Sequence, residues 1–184
     1  KDDMSNYESR LTQLKDEISI EVSSSKQGGV YKNLIKNGWK WDYGQVVQRG
    51  GRYYIESNGD LRFTSNKEAN RWTSFSFKLL ETEPGTKEYT VIFEPSVIKD
   101  TVQSLQCRLE DKDGSMVGYI VFFNKSDKAY KITLEDDIQD KIPSELQISF
   151  KDSQAGTDKD RSIVIPQRKL AVVKGWHPNL TWND

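Results

Sequence analysis

The side chains of this chain with the clearest chemical potential are aromatic rings among polar neighbours, above all in the stretch NLIKNGWKW at residues 33–41. Trp39 and Trp41 are two positions apart, so both rings would share one face of a β-strand, whereas on a helix they would diverge by about 200°. A flat ring can stack on the apolar C–H face of a sugar, but it can equally fill the core of a domain. The pair therefore has two interpretations, a sugar platform or core anchors.

Three further aromatic residues and one polar strand face extend the candidate binding surface. Tyr43, Trp72 and Trp176 stand near the ends of predicted strands and beside polar residues. On a later segment, Gln106 and Arg108 alternate with apolar residues, so an amide and a guanidinium would share one strand face and could bind sugar hydroxyls. The alternative for each is an ordinary solvent-exposed position. The predicted ligand-binding residues are Trp39, Trp41, Tyr43, Trp72, Gln106, Arg108 and Trp176.

The chain offers little for covalent catalysis. Cys107 is the only cysteine and His177 the only histidine, and no local motif links the two. Cys107 alternates with Leu105 and Leu109, as a small buried residue on a strand does. The sequence also has no glycine-rich phosphate loop, no nucleophile elbow and no histidine-rich metal motif. We therefore expect no enzymatic activity.

Two acidic stretches contain oxygen ligands of the kind that Ca²⁺ prefers, DKDG at 111–114 and EDD at 135–137. Neither has the complete spacing of a calcium-binding loop. Turn and surface roles are the prediction for both, so no cofactor is expected, and calcium is the alternative.

The net charge of -1 excludes a broad electrostatic attraction to nucleic acid or to an anionic membrane. No apolar run approaches the roughly 20 residues that a membrane-spanning helix needs. The first residue is Lys, and no apolar signal segment follows it. We expect the chain to be a fragment of a longer protein, with one domain of ordinary size.

The N-terminal segment has a helical period that the rest of the chain lacks. Apolar residues recur there at alternating intervals of three and four, at Met4, Tyr7, Leu11, Leu14 and Ile18. Two heptads are too short to be stable alone, so this seam needs partner helices or the domain itself. SSSKQGG at 23–29 then has the composition of a flexible joint. The sequence predicts a helical stalk over 1–22, a joint over 23–30 and a domain over 31–184.

From residue 31 onward, short alternating apolar segments are separated by turn residues, and no second helical period occurs. The dipeptides at 58–59, 84–85 and 113–114 predict the tight turns of three hairpins. About nine or ten such strands would pack as two antiparallel sheets. The prediction is an all-β domain, a jelly-roll β-sandwich preceded by a short N-terminal α-helix that ends a coiled coil. A closed barrel is the alternative.

The motif NLIKNG followed by tryptophan, the alternating strands and the closing LAVVKGWHPNLTW at 170–182 resemble carbohydrate-binding modules of the family 4/9 type. Such modules frame their sandwich with a strand of the form NLLxNGdF and a terminal tryptophan, and the resemblance covers about residues 33–182. It departs after Gly38, where Trp39 stands in place of the usual acidic residue, which puts the calcium of some members in doubt. Trp182 matches the terminal tryptophan, which implies a structural role.

The same frame is common in tail and baseplate proteins of phages that infect Gram-positive bacteria, often after a helical segment similar to SRLTQLKDEISIEVSS. The resemblance implies a non-catalytic glycan-binding module that attaches a virion to host cell-wall polysaccharide, and thus an extracellular location on the phage tail or baseplate. The implied partners are that polysaccharide, other tail or baseplate proteins and further copies joined through the N-terminal helix, with no nucleic acid and no membrane. A docking or spacer domain of a tail assembly and a targeting module of a cell-wall hydrolase are the alternatives.

Overall fold

Short antiparallel strands make up the regular structure of the residues that the structure describes. The computed structural model describes residues 21–24, 30–36, 40–44, 46–119, 121–122, 128–134, 141–154, 161–178 and 180–182. These residues contain fifteen strands, and no helix among them could cross a membrane. The strands are β1 (Glu21–Ser24), β2 (Val30–Lys32), β3 (Val46–Arg49), β4 (Arg52–Ile55), β5 (Leu61–Thr64), β6 (Trp72–Lys78), β7 (Glu88–Phe93), β8 (Val97–Ile98), β9 (Val102–Glu110), β10 (Val121–Phe122), β11 (Ala129–Thr133), β12 (Glu145–Asp152), β13 (Ile163–Ile165), β14 (Leu170–Lys174) and β15 (Leu180–Trp182).

The strands form a β-sandwich, which confirms the predicted class. One layer is a five-stranded sheet with the order β10-β9-β12-β6-β3. Facing it are a three-stranded sheet, β11-β7-β14, and a four-stranded sheet, β4-β5-β13-β8, while β15-β1-β2 form a further sheet. The strand count exceeds the predicted nine or ten because strands as short as the two-residue β8 and β10 show no period in the sequence.

The main core lies between the five-stranded sheet and the sheets that face it. The rings of Phe63 on β5 and Phe75 on β6 stack across this core with centroids 4.0 Å apart, and both side chains are fully buried. Cys107 is buried in the same cluster, which confirms its interpretation as a core residue. Burial raises the pKa of the Cys107 thiol well above its usual range, so the nucleophilic thiolate is suppressed.

A smaller apolar cluster lies on the outer side of the β11-β7-β14 sheet. Ile92 of β7 and Ala171 and Val173 of β14 are buried there, and Leu180 of β15 packs against them. These three residues alternate with core residues along β7 and β14, so both faces of this sheet are apolar. The sheet containing β15 therefore covers a second buried face.

Strands β1 and β2 extend the domain toward the N-terminus. Strand β1 pairs with β15 on one side and with β2 on the other. Residues 21–24, predicted as the end of the stalk and the start of the joint, are thus paired with the domain through their backbone. The heptad positions from 4 to 18 lie outside the described residues, and the stalk stays a prediction.

Two of the three predicted hairpins are confirmed. Strands β4 and β5 pair around a turn in which Gly59 has a φ of 91°, a left-handed value that favours glycine. Strands β9 and β10 pair after the turn at 113–114. The hairpin predicted around 84–85 is wrong, because β6 pairs with β12 and β3 whereas β7 pairs with β11 and β14. The turn at Gly85 lies in a connection that crosses from one layer to the other.

The first residue of the NLIKNG motif, Asn33, links this segment to the domain through a buried amide. Asn33 is 1% exposed, and its Oδ1 accepts the N–H groups of Ile35 and Val172 at 3.1 and 3.0 Å. Its Nδ2 donates to the carbonyl of Leu170 at 3.1 Å. The same segment bonds to the end of β6 through the N–H of Lys36. Asn33 therefore holds the N-terminal segment against β14.

Candidate functional site

The five-stranded sheet has a polar outer face because β6, β9 and β12 alternate apolar and polar residues. The core residues of these strands point into the sandwich, so the residues between them point outward. Antiparallel register places the outward residues in rows across the sheet. One row contains Ser74, Ser149 and Gln106, and the next contains Ser76, Gln147 and Arg108. We call this surface the polar face; its residues on the three strands are Trp72, Ser74, Ser76, Lys78, Glu145, Gln147, Ser149, Lys151, Gln103, Gln106, Arg108 and Glu110.

A cleft of about 160 Å³ opens on the polar face. That volume corresponds to about five water molecules at ~30 Å³ each, so the cleft accommodates a small polar group rather than a large apolar ligand. Its lining residues come from three neighbouring strands: Trp72, Ser74, Gln106, Cys107, Arg108, Gln147 and Ser149.

The floor of the cleft is organised by side-chain hydrogen bonds between strands. The hydroxyls of Ser74 and Ser149 lie 3.0 Å apart, and the Ser149 hydroxyl is 3.3 Å from Oε1 of Gln147. Gln147 is 5% exposed and Ser149 8%, so the bonded groups lie at the bottom of the cleft. A polar floor that is already ordered loses little entropy when a ligand binds.

Arg108 is held in place by an acidic neighbour on the same strand. Its Nη2 lies 2.7 Å from Oε2 of Glu110, whose side chain is 6% exposed. The Nε–H of Arg108 is also buried, and no acceptor for it exists among the described residues. A guanidinium carries five N–H donors, so Glu110 fixes the group while donors remain for a ligand.

Trp72 presents an aromatic ring at one end of the cleft. Its side chain is 44% exposed at the first position of β6. Nζ of Lys151 lies 4.9 Å from the centre of the indole ring, within the range of a cation–π contact. This contact restrains the ring while leaving much of its surface open to stacking.

A β-bulge in β9 sets which of its residues face the cleft. Ser104 has a φ of 56°, and the register between β9 and β12 shifts at this point. Gln106 therefore pairs with Ser149, whereas Gln103 pairs with Lys151. The extra residue of the bulge keeps both glutamines on the polar face although they are three positions apart.

Of the two tryptophans in NGWKW, the structure describes only Trp41, and its ring does not lie on the polar face. Trp41 is 2% exposed, its Nε1–H donates to the carbonyl of Ile165 at 3.1 Å, and its ring centre lies 5.6 Å from that of Phe77. The geometry supports the core-anchor interpretation for Trp41, because a buried ring has no free surface for a sugar. Trp39 lies outside the described residues and stays a prediction.

Tyr43 lies beside β4, away from the cleft. Its side chain is 58% exposed, and its hydroxyl accepts the N–H of Ile55 at 3.0 Å. The rings of Tyr43 and Tyr53 have centres 5.6 Å apart, and the Tyr53 hydroxyl donates to the Tyr43 carbonyl. Tyr43 is thus an exposed ring in a fixed position, separate from the residues of the polar face.

Trp176 lies on the outer side of the opposite layer. Thr90 of β7 alternates with the core residues Tyr89 and Val91, and its side chain anchors the segment around Trp176. The Thr90 hydroxyl donates to the carbonyl of Gly175 at 2.6 Å and accepts the N–H of His177 at 2.8 Å. Trp176 is 36% exposed on that surface. The structure therefore brings Trp72, Gln106 and Arg108 together and places Trp41, Tyr43 and Trp176 elsewhere.

The acidic stretch at 111–114 forms a turn that its own carboxylate holds in place. Oδ1 of Asp111 accepts the N–H groups of Asp113 and Ser115 at 2.9 and 3.0 Å, so this carboxylate organises the turn. Within the described ranges, no group of three or more His, Cys, Asp or Glu side chains is arranged to hold a metal ion. The stretch at 135–137 lies outside those ranges.

Two larger clefts lie on either side of the segment after β6. One of about 610 Å³ and one of about 480 Å³ share Glu81 and Thr82. Their described walls contain aliphatic, hydroxyl and charged side chains but no aromatic ring. They lack the flat stacking surface that Trp72 gives to the polar face.

No family model and no curated protein matches the sequence. Among solved structures, similar chains include a mutant of the lectin binding domain of lectinolysin complexed with Lewis b, at 10% identity and a TM-score of 0.44 over 78% of this chain and 99% of that one. Accessory secretory protein 1, 2 and 3 of Streptococcus pneumoniae gives 9% identity and 0.44 over 78% and 96%. Promiscuous carbohydrate-binding modules of the β-sandwich superfamily give 14% and 0.35 over 70% and 56%. Similarity at this level transfers neither a family nor a function to this chain.

Proposed function

We propose that this chain is a non-catalytic glycan-binding module and that the cleft on the polar face is its binding site. The observation that carries the proposal is the position of the exposed Trp72 ring beside the Gln106 and Arg108 donors on one rigid sheet. A pyranose has an apolar face and a fringe of hydroxyls, and this surface offers a partner for each.

Each residue has a distinct task in this proposal. Trp72 stacks on one sugar ring, while the amide of Gln106 and the free guanidinium donors of Arg108 bind hydroxyl oxygens. Gln147 and Ser149 form the hydrogen-bonded floor that sets the depth of the cleft. Since strands position all of these groups, the site is largely formed before the ligand arrives.

The absence of a catalytic role is supported by the chemistry of the cleft residues. Cys107 contributes no thiolate, because burial raises its pKa. Glu110, the carboxylate next to the lining residues, is engaged in the ion pair with Arg108. The groups that remain are donors and an aromatic ring, which bind sugars without cleaving them.

We further propose that the module belongs to a phage tail or baseplate protein and adheres to the cell-wall polysaccharide of a Gram-positive host. The family 4/9 resemblance and the heptad segment before the domain support this context. Other tail or baseplate proteins and copies joined through the N-terminal helix would then be its partners, and the virion its location.

The proposal is tested by screening the whole chain against a glycan array and by pull-down with purified Gram-positive cell walls. We expect saturable binding to a set of glycans and no release of reducing sugar from them. Absence of binding in both formats would contradict the proposal and favour a docking or spacer role.

A further inference from the structure

The charges on the polar face are distributed unevenly along the strands. The sheet register places Arg49 of β3 opposite Ser74 and Lys151 of β12 opposite Trp72, so the outward-facing charged residues of the strands at the tryptophan end are cations. The two carboxylates, Glu145 and Glu110, face each other at the other end, beside Lys78. Glu145 and Lys151 are six positions apart on β12, about 20 Å along an extended strand.

This face has a charge excess of the opposite sign to the whole chain. The strands place four cationic residues on this face, Arg49, Lys78, Arg108 and Lys151, and two carboxylates, Glu110 and Glu145. The whole chain, in contrast, has a net charge of -1. An accumulation of cations around a cleft with low-dielectric walls attracts anions to it.

The cations at the tryptophan end have no ion-pair partner among the described residues. Neither Arg49 nor Lys151 has a carboxylate of the described residues within ion-pair distance, whereas Arg108 is bound to Glu110. The ammonium of Lys151 is instead turned over the Trp72 ring. A sugar stacked on that ring would lie beside this positive charge.

We propose that the ligand of this cleft is an acidic saccharide, with a carboxylate or phosphate group that lies at the Arg49 and Lys151 end while its sugar ring stacks on Trp72. This inference rests on the proposed glycan-binding function and names its ligand class. The side chain of Arg108 is 33% exposed, so its accessible N–H groups are further donors for an oxygen of the same ligand.

The test uses the whole chain and sets of oligosaccharides that share a backbone and differ in charge: neutral, uronate-bearing and phosphate-bearing. We expect the acidic members to bind more tightly than their neutral counterparts, and the two acidic arms to identify the anion. Affinity should fall when salt rises from 50 to 500 mM, because the contacts with exposed cations are screened. The Debye length shortens about threefold over this range of salt concentration.

Charge-removing variants separate this inference from the proposed function. Arg49→Gln with Lys151→Gln should weaken acidic binding by about tenfold more than it weakens neutral binding, since two charge contacts are lost, whereas loss of the Lys151 contact with the Trp72 ring affects both ligands alike. Lys131→Gln, on β11 of the opposite layer, is the matched control and should bind as the wild type does.

Equal affinity for neutral and acidic members, or an unchanged affinity of the double variant, would overturn the acidic-ligand inference. If neutral glycans still bound through Trp72, the proposed function would stand without it. Failure of every oligosaccharide and of cell walls to bind would overturn both.

Discussion

Three tryptophans of this chain show how position decides the role of one residue type. Trp41 is buried in the core, Trp72 lies open on the polar face, and Trp176 lies open on the opposite layer. Trp72 differs from Trp176 in its neighbours, because Gln106 and Arg108 share its cleft whereas Trp176 follows a turn at Gly175. An exposed ring becomes a sugar platform only when hydrogen-bonding groups lie at its edge.

Substitution of Trp41 should damage stability rather than binding. Trp41→Ala should cost about 3–5 kcal/mol because it removes a large buried side chain. Trp41→Phe retains most of the apolar contact but deprives the Ile165 carbonyl of its indole donor, and should cost about 1–3 kcal/mol. Urea unfolding measures both values. A loss below about 0.5 kcal/mol for Trp41→Ala, the usual range of surface positions, would show that the ring is not a core anchor.

Asn33 should be the least replaceable polar residue of the NLIKNG motif. Asn33→Ala removes three hydrogen bonds and leaves buried backbone groups of β14 without partners, so we expect a loss of roughly 2–4 kcal/mol. Asn58→Ala is the control, because Asn58 bonds only within its exposed turn and should cost about 1 kcal/mol or less. If Asn33→Ala and Asn58→Ala lowered the unfolding free energy equally, the role of Asn33 in holding the N-terminal segment against β14 would be contradicted.

At the scale of elements, the period of two was readable from the sequence but the pairing of strands was not. Phe75 and Phe77 on β6 and Tyr89 and Val91 on β7 all point into the core, as their spacing predicts. The two strands nevertheless belong to different layers, because a turn at Gly85 permits either a hairpin or a crossover. Which one forms depends on contacts with distant strands, and a local pattern does not contain them.

The residues of the candidate site were likewise only partly predictable from the sequence, because strand pairing decides which of them lie together. Gln106 and Arg108 were predicted from alternation within one strand, and Trp72 from its polar surroundings. Gln147 and Ser149 were missed, although they alternate with core residues of β12 in the same way. Their importance follows from the position of β12 between β9 and β6, which only the tertiary structure provides.

The β9 bulge should be sensitive to side chains that avoid left-handed backbone. Ser104→Val should destabilise the domain by about 1–3 kcal/mol, because a β-branched residue is strained at a φ of 56°. Gln103→Val at the neighbouring exposed position is the control and should change the unfolding free energy by about 0.5 kcal/mol or less. A Ser104→Val protein as stable as its control would argue against the bulge.

At the scale of the whole molecule, the proposed binding face and the predicted stalk have complementary tasks. A cleft of about 160 Å³ contacts a small part of a glycan, so a single site is expected to bind weakly. Joining several copies through a coiled coil would increase the effective affinity by roughly 10²–10⁴-fold where the geometry permits.

The heptad positions yield a prediction for the oligomeric state. Replacing Leu11 and Leu14 with Asn removes two apolar residues from the predicted seam and should shift the chain toward the monomer. Replacing Thr12 and Gln13 with Asn, between the seam positions, is the matched control. Light scattering over a range of concentrations measures the mass. Equal masses for the two double variants would contradict the stalk.

The central claim, that the polar face binds glycan through Trp72, is tested most directly by the affinity of Trp72→Ala for a glycan that the wild type binds. Trp176→Ala is the control, because its ring is comparably exposed on the opposite layer. We predict a loss of about tenfold or more for Trp72→Ala, no change for Trp176→Ala and similar thermal stability for both proteins. Wild-type affinity in Trp72→Ala, or a loss confined to Trp176→Ala, would contradict the claim.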